Sequence, residues 1–382
     1  MLRAEVNFYG GYRACAFWGQ TGVLVRQVSL YDTRHAERSL TCVGVGTMSA
    51  KQYDTLSNAE ITALAHRALA CYPAALQGEV RLLCRSENAT FLVSSAGKRY
   101  ALRLHRSHYH QKAEIESELL WLDALRETGI AVPEAVRNVD GERVQSLGLS
   151  DGSCRYAVLF HWIDGEMPTT SIDPRAFQQL GEITARLHLH SRQWQKPDGF
   201  QRIVWDHHTM VSARSHWGNW RDAPNLSRGE HGIVEEAIGR MGAEMAEFGK
   251  APHRYGLIHA DLRLTNLLLH RGETRVIDFD DCGMGWYLHD LAAAISFVEH
   301  HPRASEWVEN WLCGYERVAH VSDEELALLP TLLIQRRIQL TAWVGSHAET
   351  EMAQSLGPDW AKHSVRLCRR YLETSDLPIG VA

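Results

Sequence analysis

The sequence has 382 residues, a formal net charge of -6 and a hydrophobic content of 45%. These values exclude an intrinsically disordered chain and a chain basic enough to take nucleic acid as its main partner. With roughly 100 to 200 residues per domain, the length allows two domains or one large unit of two lobes. We therefore expect a globular protein whose partner is a small molecule.

Cysteine usage and hydropathy indicate the compartment. The eight cysteines are scattered without a CxxC pair, which argues against a zinc knuckle and against a disulfide framework. No apolar run approaches the roughly 18 residues of a membrane span, and charged residues interrupt the region where a secretory signal would need its apolar core. We expect a cytoplasmic enzyme with no membrane partner, and the oligomeric state is left open.

The first patterned element follows a long stretch without sustained periodicity. Residues 1–50 are interpreted as an N-terminal extension of unknown structure, and Met48 is an alternative start. Ser57 and Glu60 then form a capping box ahead of an apolar helical stripe, which Pro73 closes. We predict a helix from Ser57 and leave the role of the extension open.

A small β-rich lobe is predicted over residues 51–163. Its strand candidates are short apolar runs at 80–84, 89–95, 100–106, 134–147 and 156–163. A Gly-containing connection joins the second and third of these as a hairpin, which favours antiparallel pairing. Between them and the last two lies a helical pattern over 112–129. The prediction is a small antiparallel sheet crossed by one helix.

The second lobe, residues 164–382, is predicted to be mainly helical. Apolar periodicity over 173–190 and a capping box at Ser322 and Glu325 indicate long helices. The exception is a β-hairpin in which "NLLLH" and "TRVIDF" flank a tight turn. The predicted fold class is therefore α+β, with a small antiparallel β-sheet lobe joined to a larger, mainly helical lobe.

The two ends of this hairpin carry the side chains that point to chemistry. Asp261 and Asn266 lie on the loop that enters its first strand, and Asp278 ends its second strand. Because a hairpin brings its ends together, the oxygens of Asn266 and Asp278 suit a hard cation such as Mg²⁺, with phosphate oxygens and water completing the ligands. Asp261 remains free to orient a hydroxyl group or accept its proton.

One motif carries a family resemblance. It consists of His259-x-Asp261-x4-Asn266 followed by Asp278-Phe279-Asp280. This motif resembles the catalytic and metal-binding loops of the protein-kinase-like superfamily, and it looks most like the branch that contains aminoglycoside phosphotransferases, choline kinases, type II homoserine kinases and related stress-response protein kinases. The resemblance implies a bilobal protein-kinase-like fold, with ATP bound between a nucleotide-binding lobe and a catalytic lobe.

The resemblance also implies roles for dispersed residues. Arg103 takes the third-strand position of a cation that contacts the α- and β-phosphates, with Glu118 as its ion-pair partner. Arg263 takes a position where a guanidinium can neutralise the transferring phosphoryl group. The other implied nucleotide-binding residues are Ser86 and Asn88 in the phosphate-covering loop and Phe160 and Trp162 in the adenine-contacting hinge.

The implied function is ATP- and Mg²⁺-dependent transfer of the γ-phosphate to a hydroxyl of a small molecule, such as an amino alcohol, an amino acid or an aminoglycoside-like compound. Phosphorylation of protein serine or threonine is the nearest alternative. A metal-dependent phosphohydrolase built on His289 and Asp290, or a nucleotide-binding scaffold without catalysis, are further alternatives. The identity of the acceptor and the choice between ATP and GTP are left open.

Several neighbouring residues have structural interpretations. His259 is predicted to hydrogen-bond within the catalytic loop, and the resemblance implies that Asp290 braces that loop from a following helix. Asp280 and Asp281 have two interpretations, as additional ligands of a metal or substrate or as solvated carboxylates of a turn. Packing in the interior, rather than contact with a substrate, is the favoured interpretation of Trp217 and Trp220.

Overall fold

The computed structural model describes residues 56–85, 87–168, 175–374 and 376–380. The predicted extension, including Met48, lies outside the described residues, and so does Ser86. The described chain forms a five-stranded antiparallel sheet with two accompanying helices, followed by a mainly helical region with two short two-stranded sheets. The α+β prediction is confirmed.

The sheet of the first lobe has the strand order β1-β2-β3-β5-β4, and all neighbouring strands are antiparallel. Its strands are β1 (Glu79–Arg85), β2 (Ala89–Ser95), β3 (Lys98–Leu104), β4 (Val144–Gly148) and β5 (Cys154–His161). Four of the five predicted strands are confirmed as β1, β2, β3 and β5.

The predicted strand over residues 134–147 is wrong for most of its length, because regular pairing there starts only with β4. Upstream, Ala135 makes an isolated bridge to Phe160. The side-chain oxygen of Asn138 accepts hydrogen bonds from the amides of Asp140 (2.9 Å) and Glu142 (2.8 Å). These local bonds fold the chain into a turn in place of an extended strand.

Two helices accompany the sheet. Helix α1 (Asn58–Leu69) begins at Ser57, whose predicted capping box with Glu60 is confirmed, and its apolar side packs on the outer face of the sheet. Helix α2 (Lys112–Glu127) instead contributes to a core shared with the second lobe. The sheet therefore has an outer face closed by α1 and an inner face turned towards the helical region.

Strand alternation decides which side chains reach the inner face. Leu102 belongs to the outer core, whereas Ala101 and its cross-strand partner Phe160 belong to the shared core. Because successive side chains of a strand point to opposite faces, Arg103 lies on the inner face with Ala101. The sequence period of two thus places the predicted phosphate-contacting cation towards the second lobe.

The second lobe contains eight of the helices that the structure describes. They are α3 (Arg175–Gln193), α4 (His207–Val211), α5 (Arg228–Phe248), α6 (His289–Ala294), α7 (Ala304–Glu316), α8 (Asp323–Ser346), α9 (Glu351–Ser355) and α10 (Trp360–Glu373). The predicted capping box of Ser322 and Glu325 starts α8. None of the described helices is apolar over a length that would cross a lipid bilayer.

Four short strands position the motif. They are β6 (Tyr255–Ile258), β7 (Leu267–His270), β8 (Glu273–Val276) and β9 (Gly283–Trp286). Strands β7 and β8 form the predicted hairpin, and β6 pairs with β9. The hairpin turn has positive φ at Arg271 (51°) and Gly272 (83°), the geometry of a two-residue turn that matches strand twist. The loops between these strands carry the motif side chains.

Candidate active site

The loop from β6 to β7 and the end of β8 bring the three predicted motif side chains together. The amide of Ile277 donates to the carbonyl of Asn266 (2.9 Å), which sets Asn266 beside the segment that carries Asp278. The side-chain nitrogen of Asn266 donates to the carbonyl oxygen of Asp261 (2.8 Å) and more weakly to its Oδ2 (3.3 Å). This orientation leaves the amide oxygen of Asn266 as the atom that can face a cation.

Asp290, at the start of α6, braces this loop as the resemblance implied. Its Oδ1 accepts from the amide of Ala260 (2.7 Å), and its Oδ2 accepts from the amide of His259 (3.1 Å) and from Nε2 of His188 (3.0 Å). The brace stabilises Ala260 at a φ of 67°, a region that non-glycine residues rarely adopt. Both oxygens of Asp290 are used in this way, which gives the residue a bracing role in place of the metal-ligand role of the phosphohydrolase alternative.

His259 has the predicted structural role. Its Nε2 donates to the carbonyl of Ile277 (3.1 Å), and its ring contacts Phe279 with centroids 4.6 Å apart. Burial is the main reason why the pKa of His259 is lowered, so the ring is neutral near pH 7. The ring links the catalytic loop to the segment after β8.

Asp278 combines an unusual backbone with an unusual charge environment. Its φ is 65°, and the residue is exposed. Loss of surrounding water disfavours the charged form of Asp278, and the negative charge of the Asp280 carboxylate repels it. Together these effects raise the pKa of Asp278 to about 7. A divalent cation would relieve this repulsion, so the donor set of Asn266 and Asp278 fits Mg²⁺.

Such a cation would need ligands from outside the protein. Among the described residues, no three His, Cys, Asp or Glu side chains are grouped to hold a metal by themselves. One carboxylate and one amide oxygen leave most of six octahedral positions to phosphate oxygens and water. That requirement matches a metal ion that enters together with a nucleotide.

Asp261 is not the free carboxylate that the sequence predicted, because two guanidinium groups occupy its oxygens. Arg263 donates to Oδ2 from Nη2 (3.1 Å) and Nε (3.3 Å), and Arg336 donates to Oδ1 from Nη2 (2.6 Å). Burial alone would raise the pKa of Asp261, but Arg263 and Arg336 lower it overall. Asp261 is thus a well-oriented but weak base.

Arg336 comes from α8 and was missed by the sequence analysis. The available signal was the run "TLLIQRRIQL", in which two adjacent arginines interrupt a largely apolar helix that carries no other charge in this stretch. Both Arg336 and Arg337 are buried. Charged residues are almost never fully buried without partners, so such a pair indicates ion pairs with distant residues. Their partners, however, cannot be read from the sequence.

Arg103 and Glu118 form the predicted ion pair. Nη2 of Arg103, on β3, donates to both carboxylate oxygens of Glu118, on α2, at 2.8 and 2.7 Å. Nη1 of Arg103 lies 3.9 Å from Oδ1 of Asp280, and its guanidinium lies 5.1 Å from the centre of the Phe160 ring. The cation is therefore held at the inner face of the sheet, close to the segment that carries Asp278.

Asp280 joins the two lobes and is not a solvated turn residue. It is 4% exposed, and its Oδ2 accepts from Nδ2 of Asn88 (2.8 Å). Its Oδ1 lies 3.2 Å from Nδ1 of His105, and its carbonyl oxygen accepts from Nε2 of His110 (2.8 Å) and from Arg202. Burial would raise the pKa of Asp280, yet His110 and His105 hold it well below its usual value.

Asn88 is bonded at both ends of its side chain. Besides its bond to Asp280, its Oδ1 accepts from the amide of Arg106 (3.0 Å). These bonds anchor the β1–β2 connection to the second lobe. A phosphate contact from the Asn88 side chain stays a prediction, for which the second hydrogen of Nδ2 would be the donor.

A series of aromatic contacts leads from Arg336, the partner of Asp261, to Asp281. Arg336 lies over the ring of Trp217 at 4.7 Å, and Nε1 of Trp217 donates to the hydroxyl of Tyr109 (3.2 Å). Tyr109 in turn donates to Oδ1 of Asp281 (2.6 Å). Trp217 is 5% exposed and Trp220 is 1% exposed, so the packing interpretation is confirmed for both.

The β1–β2 connection contacts α8 through the side chain of Glu87. Glu87 accepts from Nε1 of Trp343, on α8, at 2.7 Å, and its other oxygen lies 3.4 Å from Nη1 of Arg106. Trp343 contacts Phe297 with ring centroids 5.6 Å apart, and Arg263 lies 5.7 Å from the centre of Phe297. Asp261 is therefore linked through Arg263, Phe297 and Trp343 to the carboxylate of Glu87.

The predicted hinge follows β5. Phe160 is buried beneath Arg103, and Trp162 lies under the guanidinium of Arg99 at 4.9 Å. Arg99 also pairs with Asp164 at 2.6 Å. Phe160 therefore lies on the inner face of the sheet, and Trp162 follows the end of β5. Contact of either residue with adenine stays a prediction.

Comparisons with known proteins agree with this geometry. The model of a family described as the phosphotransferase enzyme family matches residues 80–329. The solved structure of a microcompartment-associated aminopropanol kinase is 40% identical to this chain, with a TM-score of 0.76, and covers 83% of this chain and 99% of that chain.

Curated relatives extend the comparison. Amicoumacin kinase of Bacillus subtilis (strain 168) is 21% identical over 271 residues, which are 68% of this chain and 78% of the relative. Homoserine kinase of Gluconobacter oxydans (strain 621H) is 25% identical over 256 residues, which are 64% of this chain and 75% of the relative. These proteins are named for different acceptors, but each is named as a kinase of a small molecule.

Proposed function

The chain belongs to the phosphotransferase enzyme family and is an ATP-dependent kinase of small molecules, and from this premise we propose that it phosphorylates the hydroxyl group of a small amino alcohol such as aminopropanol. The observation that carries the proposal is that two series of contacts, one through Arg336 and one through Arg263, link Asp261 to aromatic side chains and to the carboxyl groups of Asp281 and Glu87. The similarity of this chain to an aminopropanol kinase, at 40% identity with 99% of that chain covered, supports the same class of acceptor.

These side chains suit a small cation. The carboxyl groups of Glu87 and Asp281 accept hydrogen bonds from the aromatic side chains Trp343 and Tyr109. Burial, followed by the charge of Glu87, raises the pKa of Asp281 well above its usual value, and an ammonium group would relieve that repulsion. Carboxylates and aromatic faces both attract an ammonium group, and they do so more strongly where water is excluded. An amino alcohol would thus be oriented by its amine, with its hydroxyl directed towards Asp261.

Asp261 and Arg263 would perform the transfer. Asp261 positions the acceptor hydroxyl and accepts its proton as the bond from that oxygen to the γ-phosphorus of ATP forms, while the bond from the γ-phosphorus to the β,γ-bridging oxygen breaks and ADP leaves. Arg263 moves from Oδ2 of Asp261 to the transferring phosphoryl group, where its charge stabilises the transition state. The low basicity of Asp261 is compatible with a loose transition state, in which the hydroxyl gives up its proton late.

The remaining residues would bind nucleotide. Arg103, oriented by Glu118, contacts the α- and β-phosphates, and residues 51–163 form the nucleotide-binding lobe. Asn266 and Asp278, in the catalytic lobe of residues 164–382, hold Mg²⁺, which would neutralise the phosphate oxygens when bound. Ser86, Asn88, Phe160 and Trp162 complete the proposed nucleotide site.

An acceptor panel tests the proposed function. Aminopropanol, ethanolamine, choline, homoserine and an aminoglycoside are each supplied with ATP and Mg²⁺, and ADP release is measured above the hydrolysis background. We expect the highest kcat/KM for the small primary amino alcohols. The same panel is run on Asp261→Asn, for which turnover should fall about 10² to 10⁴-fold while ATP binding is little changed. Release of ADP that no acceptor increases would refute the proposal.

A further inference from the structure

We propose that Arg336 is a positioning residue for the catalytic carboxylate, which it holds by Oδ1 so that Oδ2 stays directed at the acceptor when Arg263 turns to the phosphate. This inference rests on the proposed function, in which Asp261 meets the acceptor. Arg336 lies beyond residues 80–329, the span that the family model matches. The family assignment therefore gives it no role.

The contacts of Arg336 fix its guanidinium independently of Asp261. Nε donates to Oγ of Ser296 (2.9 Å), and Nη1 donates to Oε1 of Gln339 (3.1 Å). The face of the guanidinium lies over Trp217, and its side chain is only 1% exposed. Nη2 is then directed at Oδ1 of Asp261 at 2.6 Å. The donor is preorganised by three neighbours before it meets the carboxylate.

Arg263 differs in each of these respects. Its bonds to Oδ2 of Asp261 are longer, at 3.1 and 3.3 Å, and its side chain is 25% exposed. A longer, more exposed contact costs less free energy to break, so Arg263 is the partner that can leave. If it left while Arg336 were absent, the carboxylate could rotate with it. With Arg336 in place, Oδ2 loses the Arg263 contacts and keeps only the weaker 3.3 Å contact from Asn266, while Oδ1 remains fixed.

Stability alone does not explain a buried guanidinium here. Removing such a group from water costs several kcal/mol, and a buried ion pair seldom stabilises a protein more than apolar side chains of the same volume would. The rest of this stretch of α8 is largely apolar and would pack well without the charge. A charge retained at that cost, and aimed at the carboxylate of the motif, is accounted for by a positioning role.

The next residue of α8 offers a matched control. Arg337 is also fully buried, but its Nη1 donates to Oε2 of Glu299 (2.5 Å) and its Nη2 donates to the carbonyl of Trp360 (3.0 Å). These bonds connect α8 to α10 and to the segment after α6. A substitution of Arg337 therefore disturbs the same helix without removing the Asp261 contact.

The test compares Arg336→Met, Arg336→Lys and Arg336→Ala with Arg337→Met in the full chain. With aminopropanol and saturating ATP and Mg²⁺, we expect Arg336→Met to lower kcat about 10²-fold, the size expected for a misplaced reacting group. KM for both substrates should change much less.

Arg336→Lys should recover part of the loss, and millimolar guanidinium should increase the activity of Arg336→Ala. Arg337→Met should lower the Tm but keep kcat within about twofold, the scale of a change remote from the chemistry.

Two results would overturn the proposal. One is a wild-type kcat in Arg336→Met. The other is an equal loss of kcat in Arg337→Met without guanidinium rescue of Arg336→Ala, since that pattern marks a purely structural role. If the wild type phosphorylates no acceptor in the panel, the proposed function fails, and the positioning role is decided by a crystal structure of Arg336→Met. An unchanged orientation of the Asp261 carboxylate would then refute it.

Discussion

Glu118 and Arg103 meet at 2.7 and 2.8 Å in a nearly water-free contact between α2 and β3. Removing one partner of such a pair leaves an uncompensated buried charge, which typically costs about 3 to 5 kcal/mol. We expect Glu118→Ala to lower the free energy of unfolding by about 3 kcal/mol, the lower end of that range, because Asp280 remains near Arg103. It should also raise the KM for ATP.

Urea denaturation and steady-state kinetics measure both effects. The control is Glu116→Ala on the same helix, since Glu116 is an exposed residue that pairs with Lys112 at 3.8 Å. An exposed pair contributes about 0 to 1 kcal/mol, so this variant should resemble the wild type. Equal stability of the two variants would contradict the importance of the buried pair.

Metal dependence is predicted from Asp278. Chelation with EDTA should abolish turnover, and Asp278→Asn should need a higher Mg²⁺ concentration for half-maximal rate, because an amide is a weaker ligand for a hard cation than a carboxylate. The measurement is ADP release across a Mg²⁺ titration. Glu273→Gln, an exposed change on the same hairpin, should keep the wild-type requirement. Turnover that survives EDTA would remove the metal from the mechanism.

The brace at Asp290 predicts a coupled loss of stability and activity. In Asp290→Asn, one side-chain atom becomes a donor that faces an existing N–H group, so at least one buried amide loses its acceptor. A buried unsatisfied group costs about 1 to 3 kcal/mol. We expect a loss of about 2 kcal/mol of unfolding free energy and a reduced kcat, because Ala260 would be less well held. A destabilised variant with unchanged kcat would show that the brace does not orient the loop.

His289 predicts how stability depends on pH. Within the described part of the chain, neither of its ring nitrogens has a hydrogen-bond partner. Burial, followed by the charge of Arg336, lowers the pKa of His289 to about 3, although the Asp290 and Asp261 carboxylates oppose that shift. Between that value and its ordinary pKa of about 6.5, the unfolded chain therefore binds a proton that the folded chain does not. Stability should fall as the pH drops below about 6.5.

The expected contribution of this one residue is about 1.4 kcal/mol for each pH unit below 6.5. Urea denaturation at pH 7.5 and 5.5 measures it in the wild type and in His289→Leu, which removes the titration from a buried position. The variant should lose about 1.4 kcal/mol less than the wild type over that interval. An identical pH slope in the two proteins would show that His289 does not contribute to acid sensitivity.

Much of the fold was predictable because its signals are local. The capping boxes at Ser57 and Ser322, the hairpin around Gly272 and the period of β3 depend only on neighbouring residues. The same is true of the motif from Asp261 to Asp278, whose loop and hairpin close on themselves. The strand expected over 134–147 failed for a local reason too, since the Asn138 side chain competes with sheet pairing.

The unpredicted parts of the site depend on contacts between distant segments. The residue type and sequence position of Asp280 are typical of a turn. Only the fold shows that His105, His110 and Asn88 surround it. Arg336 is separated from Asp261 by 75 residues, so no spacing in the sequence relates them. A buried charge in an apolar helix can be recognised from sequence, but the identity of its partner is a property of tertiary packing.

The bond between Asp261 and Arg336 also orders events during synthesis. When the ribosome has synthesised the motif and α6, the catalytic loop and its Asp290 brace are both present, but Oδ1 of Asp261 still lacks its donor. Translation has to pass residue 336 and then expose α8 before that oxygen is bonded. Because a chain emerges from its N-terminus, the motif loop is synthesised before the residue that completes the hydrogen bonds of its carboxylate.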